Sequence, residues 1–243
     1  METRTIYLFL LKAYYNRVNP LDKQRIFSYT GPNQWNHETL LKLPWDEGWK
    51  LSYRGYNPYY EQDCLCKLRH HTTITGVRLH TKLKNVKGIN RMGKNCKVCA
   101  LPETALHVFA ECRIAHTVWK HFLPFLQNIL PPQTLFIQPH IMLGLFHQPG
   151  SPKEDYPYRL AITLTSSIVY SLWLARNKHR FDGIAPRTDN IIRNIAGKMA
   201  DLLHHKFRHF KQTKTIKLFK RHFAINNTLC TVLPNQELAI HIK

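Results

Sequence analysis

The chain has 243 residues, with 35 Lys plus Arg against 15 Asp plus Glu, a formal net charge of +20, and 44% apolar residues. The apolar share is ordinary for a folded protein and too high for a disordered one, and the length supports one or two domains with a buried core. An acidic scaffold is excluded; the charge points to a polyanionic partner, nucleic acid ahead of anionic membrane.

In chain order, Ile6-Tyr7-Leu8-Phe9-Leu10-Leu11 is a short apolar run stopped by Lys12. It is too brief for a signal peptide and lacks a small-residue cleavage site after it. Residues 1–60 read as an irregular, partly helical lead-in, aromatic-rich and punctuated by turns at Tyr29–Asn33 and Tyr56-Asn57-Pro58. From Cys64 to Leu83, the apolar positions Leu65, Leu68, Ile74, Val77 and Leu79 fit one or two short helices, and Lys84–Lys94 reads as a basic loop.

After a Cys/His cluster, Ala115, Val118, Trp119, Phe122, Leu126 and Ile129 recur at helical spacing. Pro124 is expected to kink that helix and Pro131-Pro132 to end it. The longest stretch without Lys, Arg, Asp or Glu, His121–Pro152, is broken by Pro124, Pro131, Pro132, Pro139 and Pro149 and cannot be a lipid-facing helix.

A second helix is predicted over about Tyr158–Phe181, with Ala161, Leu164, Ile168, Val169, Leu172 and Trp173 on one face and a stop at Asp182-Gly183 and Pro186. Its uncharged part, Leu160–Ala175, is too short and too hydroxyl-rich to span a membrane. A third helix starts with Thr188 or Asp189 as N-cap and uses Ile191, Ile192, Ile195, Met199, Leu202 and Leu203. It is expected to run on through Phe207 and Phe210 toward Phe223. Thr231-Val232-Leu233 and Leu238-Ala239-Ile240 fit a small hairpin. The fold class is therefore mainly α, with a small embedded zinc-knuckle lobe and minor β structure at the C-terminus. We divide it into segments 1–60, 61–150 (metal-binding), 151–223 (helical, basic at its end) and 224–243 (a short tail).

The most specific feature is Cys96-Lys97-Val98-Cys99, then His107, then Cys112, a C-x2-C-x7-H-x4-C pattern. Two cysteines two residues apart form a knuckle that brings both thiolates to one ion. A His and a Cys five positions apart can reach the same ion from a short helix or turn. Three thiolates and an imidazole make a closed tetrahedral set, the composition of one structural zinc ion, with no open position for catalysis. A Cys96–Cys99 disulfide would close a strained loop. Cys64-Leu65-Cys66 with His70 and His71 has poorer ligand spacing and reads as two buried helical thiols and two exposed imidazoles; Cys230 reads as packed. This cysteine usage favours a reducing, intracellular compartment, nuclear or cytoplasmic.

Acids are absent from two long intervals. One, between Asp63 and Glu103, carries Arg78, Lys82, Lys84, Lys87, Arg91 and Lys94 among others. The other, between Asp201 and Glu237, carries Lys206, Arg208, Lys211, Lys214, Lys217, Lys220 and Arg221. On one continuous helix Lys211, Lys214, Lys217 and Arg221 would form a stripe suited to phosphates. Phe207, Phe210, Phe219 and Phe223 beside it are candidates for base stacking, although their spacing favours core packing.

No Gly-rich phosphate loop, H-E-x-x-H, G-x-S-x-G or Asp-Asp pair is present. Asp182, Asp189 and Asp201 read as a turn, a cap and a solvated position rather than a two-metal carboxylate set. The chain is therefore not expected to be an enzyme.

Arg91–Cys99, with Leu101-Pro102-Glu103-Thr104-Ala105-Leu106-His107-Val108-Phe109, Glu111-Cys112 and Trp119, resembles the zinc-binding segment C-terminal to the reverse transcriptase of LINE-type (non-LTR) retrotransposons. Leu68-Arg69-His70-His71 with Thr75–Leu79, then Ile141–Leu145 and Ile168–Phe181, extend the resemblance over roughly Cys64–Phe181. It implies Cys96, Cys99, His107 and Cys112 as ligands and a role in gripping RNA template or target DNA, with a reverse transcriptase core as partner in cis or in trans. The polymerase's Tyr-x-Asp-Asp signature and any endonuclease signature are missing, so the chain looks like the detached tail of such an element. Two other readings compete. One is a helical interaction domain that docks on a polymerase through the Ile191–Leu203 face and the Trp119 helix. The other is a divergent nuclease using Asp182 or Asp189.

Overall fold

The computed structural model describes residues 55–69, 73–83, 93–132, 142–146 and 156–242, and for 81–83 the backbone alone. All of them fall within one compact unit, Lys42–Lys243. The helices are α1 (Tyr59–Arg69), α2 (Gly76–Leu83), α3 (Arg113–Ile129), α4 (Tyr156–Phe181), α5 (Thr188–Gln212) and α6 (Ile216–Phe223). One π turn, His107–Glu111, precedes α3, and strands β1 (Cys230–Val232) and β2 (Leu238–Ile240) close the chain. The protein is mainly helical, as the periodicity predicts.

Helix α4 is the hub, packed by α1, α3, α5, α6 and the π turn. The expected one-sided apolar face is in fact wider. Tyr158, Leu160, Ile162 and Leu164 are buried along with Ala161, Ile168, Val169 and Leu172, while Trp173 is only half-buried. Its small hydroxyl residues let neighbours approach closely and satisfy themselves on their own helix. Thr163 Oγ1 donates to the Arg159 carbonyl at 2.7 Å and Ser166 Oγ to the Ile162 carbonyl at 2.8 Å. No helix among the described residues is long and apolar enough to cross a membrane.

Polar groups tie α1 to the hub. Glu61, buried, accepts from Asn57 Nδ2 at 2.8 Å, Ser167 Oγ at 2.5 Å and Lys198 Nζ at 2.7 Å. Arg69, also buried, donates to the Leu143 and Gly144 carbonyls at 2.6 and 3.0 Å. Gly144 there has φ +62°, and a Cβ would sit 3.2 Å from the Arg69 guanidinium.

The six apolar positions predicted for α3 are its buried residues. The helix continues through Pro124, which is exposed, and ends before Pro131. Helix α5 differs from expectation at both ends. Its N-cap is Arg187, with no side-chain cap bond, rather than Thr188 or Asp189.

It also stops at Gln212 instead of reaching Phe223. Thr215 N–H bonds the Phe210 carbonyl at 2.9 Å and Lys214 N–H the Lys211 carbonyl at 3.1 Å, with Lys214 left-handed at φ +56°. This is a Schellman stop with lysine where glycine is usual. Helix α6 then folds back, and Phe219 packs 5.1 Å from both Phe207 and Phe223, ring centre to ring centre.

The C-terminal strands pair antiparallel, Cys230 with Ile240 and Val232 with Leu238, as expected of a hairpin. Residues 1–54 lie outside the described residues, with the turn at Tyr29–Asn33 among them.

Candidate metal centre and cationic surface

The metal lobe is built from a tight hairpin and the π turn. Asn95 bridges Pro102, Cys96 N–H bonds the Leu101 carbonyl at 2.8 Å, and Glu103 N–H bonds the Lys94 carbonyl at 3.0 Å. Within the loop, Ala100 is left-handed at φ +59° and its N–H returns to the Cys96 carbonyl at 2.9 Å. That fold-back points the Cys96 and Cys99 side chains the same way. Val98 N–H also donates to Cys96 Sγ at 3.4 Å.

The other two ligands need the π turn. Thr104 Oγ1 accepts from His107 N–H at 3.0 Å and starts the turn as a side-chain cap. In an α-helix two positions five apart would point about 140° away from each other. Here Cys112 N–H reaches the His107 carbonyl at 2.7 Å, an i to i+5 closure that brings both side chains to one side.

The result is one cluster. Cys96 Sγ lies 4.0 Å and Cys99 Sγ 3.7 Å from Cys112 Sγ, and all four ligand atoms fall within 4.8 Å of one another. The sulfurs are not bonded to each other. His107 is buried, and its Nε2 has no hydrogen-bond partner. A buried imidazole nitrogen without a partner is costly unless something else, such as a metal ion, satisfies the ring. The four residues can hold one metal ion.

The thiols differ. The Cys96 thiol is held down to about 4, chiefly by the hydrogen bond from Cys112, while Cys112 is pushed up by giving that proton and by burial. Cys64 and Cys230, buried away from the cluster, are pushed up to about 12 by desolvation. Cys64 and Cys66 are the buried helical thiols expected; His70 and His71 lie outside the described residues.

A second layer anchors the lobe to the hub. Glu103 is buried and accepts from Arg176 and, at 3.1 Å, from Arg180, both on α4. The same oxygen accepts from the Gly76 N–H at 2.8 Å, at the start of α2. Arg180 also donates to the Gly93 carbonyl at 2.5 Å. Lys97 Nζ reaches the His179 and Arg180 carbonyls at 3.2 and 2.9 Å, placing a cation on the negative end of α4. Trp119 Nε1 donates to the Phe109 carbonyl at 2.6 Å. Glu103, Thr104 and Phe109 stand out in the sequence only through the family resemblance, and Trp119 through its helical spacing as well; each makes a definite contact here.

The cationic residues do not form the single stripe predicted. The Schellman stop separates Lys211, at the end of α5, from Lys217 and Arg221 on α6, and Lys214 sits in the turn between them. Arg208, Lys211, Lys214, Lys217, Lys220 and Arg221 are exposed and Lys206 is half-buried. Lys211 donates to the Gln236 carbonyl at 3.2 Å. Arg208, Lys214, Lys217 and Lys220 form no ion pair among the described residues. Lys94 is exposed and Arg78 half-buried. Lys84, Lys87, Arg91 and the Lys82 side chain lie outside the described residues.

Base stacking by the α5–α6 aromatics is ruled out for three of them, because Phe207, Phe219 and Phe223 are buried in the core. The docking faces fare likewise: Ile191, Ile195, Met199, Leu203 and Trp119 are covered by the chain itself. Asp182, Asp189 and Asp201 are all exposed. No family model, curated protein or solved structure matches the chain.

Proposed function

We propose that this chain is a zinc-stabilised nucleic-acid-binding module, similar to the C-terminal zinc-binding segment of LINE-type reverse transcriptases. On this reading it assists RNA-template or target-DNA binding inside the cell, beside a polymerase core in cis or in trans, and has no polymerase activity of its own. The observation that carries the reading is the convergence of three cysteine sulfurs and one nitrogen of the buried His107 imidazole within 4.8 Å, with His107 Nε2 lacking any hydrogen-bond partner. Soft sulfur ligands with one imidazole suit zinc. A metal–sulfur bond of about 2.3 Å in a tetrahedron sets sulfurs about 3.8 Å apart. The sulfur separations here, 3.7 and 4.0 Å, bracket that value.

Cys96, Cys99, His107 and Cys112 would all be protein ligands, leaving zinc a structural charge rather than a reaction centre. Zinc would join the knuckle to the π turn and, through Glu103 and Lys97, to α4. The nucleic-acid half of the reading rests on the charge of +20 and on cations unaccompanied by carboxylates.

The test is metal analysis of the purified chain followed by a salt titration of RNA and DNA binding. The expected result is about one zinc per chain, lost in Cys112→Ser and in His107→Ala, and a log-affinity slope against log salt near −4. Zinc-loaded protein without affinity for either polymer at low salt would remove the nucleic-acid half.

A further inference from the structure

Between the C-terminal half of α4 and the N-terminal half of α5 runs an open groove of about 520 Å³. We propose that this groove, rather than the α5–α6 cations, is the track for a single strand of RNA or DNA; the proposal rests on the nucleic-acid reading above.

Lys178, Arg187, Arg193 and Lys198 line the groove, and the one acid lining it is Asp201. Lys198 is committed to Glu61, which leaves three cations against one acid. Arg193 is held by the Asn190 side chain at 2.6 Å and aimed without a carboxylate. Asp182 and Asp189, though exposed, do not line it.

Exposed apolar surface lies on the same side of α4. Tyr170, Leu174, Lys178 and Phe181 fall within about 80° on α4, using the helical repeat. Leu174 lines the groove and is 38% exposed, as does Ile184 at 58%; Phe181 is 52% exposed at the end of the face. Tyr60, half exposed, packs against Tyr170 at 5.0 Å, and Lys198 sits 4.9 Å over the Tyr170 ring. Leu174 and Ile184 line the groove beside Lys178, Arg187 and Arg193, and Phe181 is exposed on the same face of α4; a single strand can lay its free bases on such apolar surface while its phosphates track the cations. A duplex keeps its base faces stacked inside and has none to lay on this surface.

The groove is also roomy. Gly197 sits in the middle of α5 on the groove wall, and a Cβ there would meet nothing within 4 Å. Glycine costs a helix interior stability that alanine would not, so nothing in the fold requires it; it keeps the groove wide.

The test uses the full chain and three fluorescent probes of about 12 nucleotides or base pairs, oligo(U), oligo(dT) and a DNA duplex, read by anisotropy at low salt. Lys178→Glu/Arg187→Glu/Arg193→Glu is compared with Lys214→Glu/Lys217→Glu/Lys220→Glu, which changes net charge equally and so isolates position. The groove variant is expected to bind either single strand about tenfold more weakly than the α6-side variant, with the salt slope reduced by about 2. Phe181→Ala should cost about fivefold or more. Gly197→Trp, with unchanged helical circular dichroism, should weaken single-strand binding by plugging the groove without altering charge. The relative affinities of oligo(U) and oligo(dT) report which polymer the groove prefers. Equal losses in the two triple variants, or tighter binding of the duplex than of either single strand, would overturn the groove while leaving the nucleic-acid reading intact. If wild-type protein binds none of the probes, the reading itself fails and the groove with it.

Discussion

At the scale of single residues, the lobe depends on groups that a motif search passes over. Gly76 brings its N–H to Glu103 because it has no side chain; a Cβ there would lie 2.9 Å from the Lys94 carbonyl oxygen. Gly76→Ala should therefore destabilise the protein by about 1–3 kcal/mol in denaturant unfolding, with metal content retained. Glu103→Gln should cost more, about 3 kcal/mol or above, since it leaves the Arg176 and Arg180 charges poorly matched in the interior. The cysteines make a sharper distinction. After chelation at neutral pH, alkylation followed by mass spectrometry should find label first on Cys96, whose thiol is held down to about 4, and on half-buried Cys99, with buried Cys112 slower. Cys64 and Cys230, with pKa values near 12, should label only in denaturant. Spacing alone pointed to Cys96, Cys99, His107 and Cys112, which the fold brings within 4.8 Å of one another and which could hold a metal ion. It could not reveal Lys97 as a helix cap, since a lysine between two metal ligands reads as solvated charge.

Elements show the same division. Helices α3 and α4 were legible because their apolar residues recur every three or four positions and their ends carry Pro131, Asp182 and Gly183. The break between α5 and α6 was not. Thr213-Lys214-Thr215 contains neither glycine nor proline, and the apolar pattern continues across it through Phe207, Phe210, Phe219 and Phe223. What ends α5 is tertiary: folding back lets Phe219 meet Phe207 and stack on Phe223. That packing holds Lys214 at φ +56°, a conformation costing an L-residue about 1 kcal/mol. Lys214→Gly should therefore raise the thermal midpoint, gaining up to about 1 kcal/mol, whereas Lys214→Val should lower it. The π turn was equally hidden: a five-residue His–Cys spacing is incompatible with an α-helix face, and only the ligands themselves call for the wider turn.

For the molecule as a whole, the metal lobe and the helical body share one set of contacts through α4. Glu103, Lys97 and Arg180 all cross from lobe to hub within the last turns of that helix. Metal removal should then reach beyond the knuckle. Native-state hydrogen exchange of the chelated protein is expected to speed up at residues 174–181, while amides near Ile195–Leu203 keep their protection. Falling pH should have the same effect as chelation, because protons compete with the ion for the thiolates and the imidazole; metal occupancy is expected to drop as the solution is acidified. The global charge pattern was plain in the sequence, but its arrangement was not, since two helices rather than one carry the C-terminal cations.

One contact has a practical corollary. Phe109, inside the π turn, stacks 6.2 Å from Trp173, and its carbonyl receives the Trp119 indole N–H. Two of the five tryptophans thus touch a residue two positions from His107. The chain contains its own optical gauge: intrinsic fluorescence, excited at the indole band, should shift in colour and intensity as the site fills, with no dye attached.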